Sequence, residues 1–393
     1  MELPCHPATF KNVYDLLLST CDTLMDLTIH SRVGNALLDI ILDHCPNLIS
    51  FQYLLSGSLY NFAGKSSHHC KKRRLTTKLR RLVLDIPLDK QKVLTVLSNC
   101  PNLSQLQLRS PGMQLGYFDT LLMYIHQYHT QLEYLRLFGS AARHTSFLTY
   151  PIPFPPLSIS QIAQPQQQQQ QHLRELWLIG TDEGSSTHII PFIYQHHTTL
   201  TSLYIRSPVT SECMHHLASF SYPVLEELYI QLTHYSPLAN DLYQFIHHTS
   251  HLIRLSLSSF TSTDIVSDQL FDILPSSIQQ LKLQQKYNHG IITSEALTRF
   301  VKRSLLIQEI HLPNVQALDD NVLILVSLKH KESLTTLDLY GNEKITDKGL
   351  KGFIDNMSHS KKLELLNLGQ CSLITCTMIN YVQEQLPFTK IYY

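Results

Sequence analysis

Apolar residues along the chain recur in a six-residue pattern, Leu-x-x-Leu-x-Leu, in which Ile, Phe or Tyr sometimes replaces Leu. About 13 full copies keep one phase, and most of them begin about 24–31 residues after the previous one. A partial copy, Phe388/Ile391/Tyr393, follows in the same phase. The full copies are Leu24/Leu27/Ile29, Leu48/Phe51/Tyr53, Leu79/Leu82/Leu84, Leu103/Leu106/Leu108, Leu132/Leu135/Leu137, Leu173/Leu176/Leu178, Leu200/Leu203/Ile205, Leu225/Leu228/Ile230, Leu252/Leu255/Leu257, Ile278/Leu281/Leu283, Ile307/Ile310/Leu312, Leu334/Leu337/Leu339 and Leu363/Leu366/Leu368.

This period predicts an α/β leucine-rich-repeat solenoid. The second and third apolar positions are two residues apart, so both face one side of a short strand. The rest of each repeat reads as a helix, as in residues 119–126. A single strand and helix cannot bury their apolar faces, but stacked neighbours can. We therefore expect one domain over 1–393, a horseshoe with a parallel concave sheet and convex helices. Thr210, Thr293 and Thr346 are predicted helix N-caps.

One spacing is anomalous, because 41 residues separate Leu132 from Leu173. The excess contains five prolines and a glutamine run at 166–171. Proline interrupts helices and sheets, and a glutamine run cannot bury a core. The sequence predicts a disordered Pro/Gln-rich insertion at 139–171, and the alternative is a docking segment for a partner.

Composition narrows the class of protein. Lys+Arg and Asp+Glu are both 31, so the formal net charge is zero and nucleic acid is an unlikely general partner. No apolar run reaches the roughly 18 residues of a membrane span. The first residues lack the basic and apolar regions of a secretory signal. With eight cysteines in 393 residues, reduced thiols and a cytoplasmic or nuclear location are expected.

Several segments resemble one family. Cys45-Pro46-Asn47-Leu48 and Cys100-Pro101-Asn102-Leu103 lead into predicted strands. Leu337-Asp338-Leu339-Tyr340-Gly341-Asn342 leads to Ile345-Thr346-Asp347-Lys348-Gly349-Leu350, and Leu366-Asn367-Leu368-Gly369-Gln370-Cys371 repeats the theme. These segments resemble the cysteine-containing repeats of F-box/leucine-rich-repeat proteins, within the ribonuclease-inhibitor-like superfamily.

The resemblance implies a non-enzymatic receptor that recruits protein substrates to a cullin ubiquitin ligase. In that family a separate F-box of roughly fifty residues binds the ligase adaptor. Because the first predicted strand starts near Leu24, we expect no F-box within this chain. Adaptor binding is then expected only if an F-box lies outside it, and the alternative is a free-standing scaffold or inhibitor.

No residue set predicts catalysis, a cofactor or a metal site. The histidine pairs, such as His196-His197 and His247-His248, point in different directions on a helix and make poor chelates. Cys371 and Cys376 lack a second pair at zinc-binding spacing. Phosphate-binding glycine loops and nucleophile elbows are also missing from the sequence.

One basic run stands out, formed by Lys71, Lys72, Arg73 and Arg74. It falls in an oversized connection between the repeats that begin at Leu48 and Leu79. Three interpretations stay open: a solvated loop, a nuclear-import signal or a nucleic-acid contact.

The candidate binding surface is the concave sheet, where residues flanking the second leucine point away from the core. Tyr, Trp and Arg, which dominate protein-binding hot spots, recur there in consecutive middle repeats. We predict one continuous ring row from Tyr134 through Trp177 and Tyr204 to Tyr229, with Glu175 and Glu227 near the arginines. A protein or peptide partner is expected, and the alternative is a structural aromatic ladder. The predicted contact residues are Tyr134, Arg136, Trp177, Tyr204, Arg206, Tyr229 and Arg254.

Overall fold

A computed structural model gives the structure of the chain, which divides into two compact units, unit 1 (Met1–His196) and unit 2 (His197–Tyr393). The structure describes residues 2–5, 10–31, 36–55, 78–86, 88, 90–109, 116–139, 172–179, 186–206, 211–232, 239–259, 266–285, 292–358, 360 and 362–393.

Unit 1 contains seven strands and five helices within the described residues. Each strand pairs in parallel with the strand before it in the chain. The strands are β1 Glu2–Cys5, β2 Asp26–Ser31, β3 Ser50–Leu55, β4 Arg81–Asp85, β5 Gln105–Arg109, β6 Tyr134–Phe138 and β7 Glu175–Ile179. The helices are α1 Phe10–Thr20, α2 Ala36–His44, α3 Lys90–Ser98, α4 Gly116–Tyr128 and α5 Ser186–His196.

Unit 2 repeats the arrangement, with eight strands and seven helices within the described residues. Its strands also pair in parallel and in chain order. They are β8 Ser202–Arg206, β9 Glu227–Leu232, β10 Arg254–Ser259, β11 Gln280–Gln285, β12 Glu309–His311, β13 Thr336–Asp338, β14 Leu365–Asn367 and β15 Lys390–Tyr392. The helices are α6 Ser211–Ala218, α7 Ala239–His247, α8 Asp268–Ile273, α9 Ser294–Arg303, α10 Asp320–His330, α11 Asp347–Met357 and α12 Cys376–Gln385.

The predicted leucine pattern forms the core of each unit. Strand registers align the second leucines of adjacent repeats, as Leu106 pairs with Leu135 in unit 1 and Ile310 pairs with Leu337 in unit 2. These side chains are almost fully buried. The residues between them point to the opposite side of the strand, called here the outward face, because side chains alternate along a strand.

Side-chain caps start several helices of unit 2. The hydroxyl groups of Thr293, Thr346 and Thr375 each accept a hydrogen bond from the first turn of the helix that follows. Each also donates to a carboxylate one repeat earlier, as from Thr346 Oγ1 to Asp320 Oδ2 at 2.6 Å. The N-cap predictions for Thr293 and Thr346 are therefore confirmed, whereas Thr210 lies outside the described residues.

The α/β leucine-rich-repeat solenoid prediction is confirmed, since a strand stands at each of the 13 full copies and at the partial copy. One strand was not predicted. Strand β1 carries a single large apolar residue, Leu3, which is too little for a periodic signal. Among the described residues, no helix is long and apolar enough to cross a membrane. The predicted insertion, except Gly139, and the basic run at 71–74 lie outside the described residues.

Candidate functional site

Two strands of unit 1, β6 and β7, carry three of the predicted contact residues. The prediction that Arg136 is exposed is wrong, because it is only 3% exposed. Its guanidinium lies over the Trp177 ring, 4.4 Å from the centroid, and pairs with the Glu175 carboxylate. The long Arg136 side chain thus lies along the sheet, where an ion pair and a cation–π contact offset its desolvation.

The predicted ring row is also wrong in unit 1. Parallel register places Tyr134 opposite Glu175 and Arg136 opposite Trp177. Tyr134 therefore belongs to a different row of side chains from Trp177, because residues two apart on a strand share a face but not a register position. Tyr134 is half-buried, and burial together with the nearby Glu133 charge raises its pKa.

Neighbouring outward residues of unit 1 also pack against one another and are buried or partly buried. Gln105 and Gln107 on β5 are buried, and Gln105 is only 2% exposed. The Arg109 guanidinium lies 5.1 Å from the centroid of the buried Phe138 ring. Burial, followed by the Arg136 charge, lowers the pKa of Arg81. The outward face of β5 and β6 is therefore a packed layer of arginine, glutamine and aromatic side chains.

On unit 2, Tyr204 and Tyr229 form a stacked pair. Register places them opposite each other on β8 and β9, with ring centroids 3.9 Å apart and ring planes at 6°. Both rings are partly exposed, and the Tyr229 hydroxyl lies 3.4 Å from Ser258 Oγ. Burial and the neighbouring Tyr229 raise the pKa of Tyr204, so its hydroxyl stays neutral. The pair offers a flat apolar surface with hydroxyl groups at its edge.

Two arginines lie beside this tyrosine pair. Arg254 lies opposite Glu227 in the register and pairs with its carboxylate, while its side chain stays 51% exposed. Arg206 follows Tyr204 by two residues on β8 and is partly exposed. Within the described part of the chain, Arg206 has no ion-pair partner. Its guanidinium is therefore available for a carboxylate or carbonyl group.

A second polar cluster of unit 2 was missed by the sequence interpretation. Lys282, His311, Asp338 and Asn367 occupy one register row across β11 to β14. All four stand between the second and third apolar positions of their repeats, which is where Tyr204 and Tyr229 stand in theirs. Aligning that one position across the repeats would have revealed the cluster.

A small cavity between α4 and α5 of unit 1 is lined by three histidines, the buried His129 and His196 and the partly exposed His126. Burial lowers the pKa of His129 to about 4. Burial, followed by the His126 charge, also lowers the pKa of His196 to about 4. These two histidines are therefore neutral at neutral pH. Within the described residues, no group of three or more His, Cys, Asp or Glu side chains is arranged to hold a metal ion.

Comparison with known proteins supports the fold. No protein-family model matches the chain, and no curated protein matches it. Among solved structures, the chain is similar to Rad7 as seen in the crystal structure of the yeast Rad7–Elc1 complex. That match has a TM-score of 0.54 and 14% identity, and it covers 98% of this chain and 83% of the other. At this identity the likeness shows a shared leucine-rich-repeat fold.

Proposed function

We propose that the chain is a non-enzymatic protein-recognition module and that the outward face of unit 2 binds its partner. The stacked Tyr204–Tyr229 pair carries this proposal. The two stacked rings remain partly exposed and have few rotatable bonds, so ordering them on binding costs little entropy. Tyr and Arg are also the residue types enriched in hot spots.

The charges around the tyrosine pair favour a protein or peptide over nucleic acid. Arg254 is already neutralised by Glu227, and the whole chain has no net charge. Phosphate-backbone binding needs several unneutralised cations on one surface. A partner with one carboxylate for Arg206 and an apolar side chain for the rings fits this surface better.

The test compares two tyrosines of the same unit in the full-length chain. A partner is first identified by cross-linking from the unsubstituted chain, and its affinity for purified variants is then measured. We expect Tyr204→Ala to weaken binding by about 30-fold, the hot-spot scale. Tyr381→Ala is the matched control, because this tyrosine lies on α12 and donates to Asp355. Equal affinities for the two variants would exclude the tyrosine pair as the binding surface.

A finer proposal is that the chain acts as a substrate receptor of a ubiquitin ligase, as the resemblance to F-box/leucine-rich-repeat proteins implies. The likeness to Rad7, which is found in a complex with Elc1, favours this candidate. The experiment mixes the purified full-length chain with purified Elc1 and follows both by size-exclusion chromatography. Stable co-elution would support assembly with such a subunit. Separate elution at micromolar concentration would favour a free-standing scaffold in the cytoplasm or nucleus.

A further inference from the structure

A row of polar side chains crosses unit 2 beyond the tyrosine pair. Tyr229 is opposite Ser256, Ser256 is opposite Lys282, and Lys282 is opposite His311 in the strand registers. The row continues through Asp338 to Asn367. The tyrosine pair and the charged cluster therefore share one line of side chains, which runs across the strands.

Every charged group of the cluster contacts another. Lys282 Nζ lies 3.1 Å from Glu309 Oε2, and the same oxygen lies 3.5 Å from His311 Nε2. His311 Nδ1 lies 3.6 Å from Asp338 Oδ2 on the next strand. Asn367 Nδ2 donates to Asp338 Oδ1 at 2.8 Å. His311 is thus held between two carboxylates, with the Lys282 ammonium beyond the first.

The protonation state of His311 sets the charge of the cluster. Lys282 comes from β11, Glu309 from β12 and Asp338 from β13, and these are the charged groups that face the ring. With His311 protonated, two cations balance two carboxylates. With His311 neutral, one carboxylate charge remains uncompensated on a partly buried surface, where electrostatic interactions are stronger than in water. The side chains of His311 and Asp338 are 21% and 22% exposed, so solvent reaches this charge.

We propose that this row binds a lysine or arginine side chain of the protein partner, in competition with the proton on His311. The proposal rests on the proposed protein-recognition function and specifies the chemistry of the partner. A guanidinium or ammonium that contacts Glu309 and Asp338 from the solvent side would replace the charge that the proton supplies. Binding of the basic side chain then strengthens as pH rises, because deprotonation of His311 leaves one carboxylate charge uncompensated.

The local environment of His311 favours its protonated form. Burial lowers the pKa of His311, but the neighbouring Asp338 and Glu309 carboxylates outweigh burial and raise it above the usual value. The Glu309 carboxylate has a pKa of about 2, chiefly because of the nearby His311 ring, so it stays ionised throughout.

Spacing along the row specifies the partner further. Strand β9 is three strand steps from β12, which corresponds to about 14 Å. An extended peptide crossing the strands covers that distance in about four residues. The partner segment therefore carries an apolar side chain for the tyrosine pair and a basic side chain about four residues away.

The test uses the full-length chain with histidine labelled at Cε1 and a defined probe. The probe is the blocked peptide Gly-Gly-Arg-Gly-Gly, and its control has neutral citrulline in place of arginine. The His311 resonance is assigned by its loss in His311→Gln. Because proton and peptide compete, we expect the arginine peptide to lower the apparent pKa of His311 and to bind at least about threefold tighter at pH 8 than at pH 6. The citrulline peptide should neither lower the apparent pKa of His311 nor bind more tightly at pH 8.

Matched variants separate the cluster from its surroundings. Glu309→Gln and Asp338→Asn should abolish binding of the arginine peptide, whereas Glu227→Gln, which alters a separate Arg–Glu pair, should not. His311→Gln should bind equally at the two pH values. An unchanged His311 pKa at saturating peptide, equal binding of the citrulline peptide, or tighter binding at pH 6 would each overturn the proposal.

The outcome is independent of the tyrosine pair. The probe carries no apolar side chain, so Tyr204→Ala should bind it as the unsubstituted chain does. Loss of peptide binding in the cluster variants with normal partner binding by Tyr204→Ala would uphold the basic-residue site and contradict the tyrosine surface. Normal peptide binding by the cluster variants, together with weak partner binding by Tyr204→Ala, would contradict the basic-residue site and uphold the tyrosine surface.

Discussion

The outward faces of the two units use similar residues for different purposes. In unit 1, Arg136 stacks on Trp177 and pairs with Glu175, and it is buried. In unit 2, Tyr204 stacks on Tyr229 while Arg254 pairs with Glu227 at the surface. The difference follows from register. Where an arginine stands opposite an aromatic ring, the ring covers the guanidinium and the arginine is buried, and where ring stands opposite ring, both rings stay partly accessible.

The largest expected effect comes from removing a carboxylate from each Arg–Glu pair. Glu175→Ala removes the carboxylate that pairs with the buried Arg136 guanidinium and should lower the free energy of unfolding by about 3–5 kcal/mol. Glu227→Ala should cost less than about 1 kcal/mol, since Arg254 is exposed and water solvates it. Urea denaturation of both variants measures the difference. Similar losses would show that the two faces are equally packed.

Acid should weaken unit 1 more than unit 2. The pKa of both His129 and His196 in unit 1 is about 4, below the usual 6.5, so the unfolded chain binds protons first. Their contribution to stability is complete above about pH 6.5 and is lost as pH falls toward 4, by roughly 2 kcal/mol for each histidine at pH 5. In unit 2 the pKa of His330 is lowered by burial, whereas that of His311 is raised. As the pH falls, the contribution of His330 to the stability of unit 2 decreases and that of His311 increases, so the two effects oppose each other.

The measurement uses the only tryptophan of the chain, Trp177, which reports on unit 1. We expect the urea midpoint from its fluorescence to fall between about pH 7.5 and pH 5. The His129→Leu variant should lose roughly half of that fall. The His311→Gln variant should leave the Trp177 midpoint unchanged at both pH values. A pH-independent midpoint in the unsubstituted chain would mean that these histidines are hydrated.

A smaller effect distinguishes the two sides of unit 2. Thr346→Ala removes an N-cap and a hydrogen bond to Asp320, and it should cost about 1–2 kcal/mol of unfolding free energy. Ser256→Ala, on the outward face of β10, should change stability by less than about 0.5 kcal/mol. Thermal unfolding of the two variants tests whether unit 2 depends on its helix starts more than on its outward face. A greater loss for Ser256→Ala would contradict that view.

Periodicity predicted the strands because buried leucines at fixed spacing leave a signal in one sequence. It also predicted which side chains leave the core, but not which of them reach solvent. Arg136 shows why: its burial depends on Trp177, 41 residues later in the chain, and on the register that joins them. The contact between His311 and Asp338 is likewise a cross-strand neighbour relation. Such contacts depend on alignment between repeats rather than on any local pattern.

The most direct test of the account measures stability and partner affinity together for Trp177→Ala and Tyr204→Ala. We expect Trp177→Ala to cost about 2 kcal/mol of unfolding free energy, the scale of a desolvated cation–π contact, because it uncovers the buried Arg136 guanidinium, while the folded protein binds its partner normally. Tyr204→Ala should cost about 1 kcal/mol of stability, the scale of one aromatic contact, but weaken binding by about 30-fold. If Trp177→Ala instead abolished binding with little loss of stability, and Tyr204→Ala bound normally, the assignment of the two faces would be reversed.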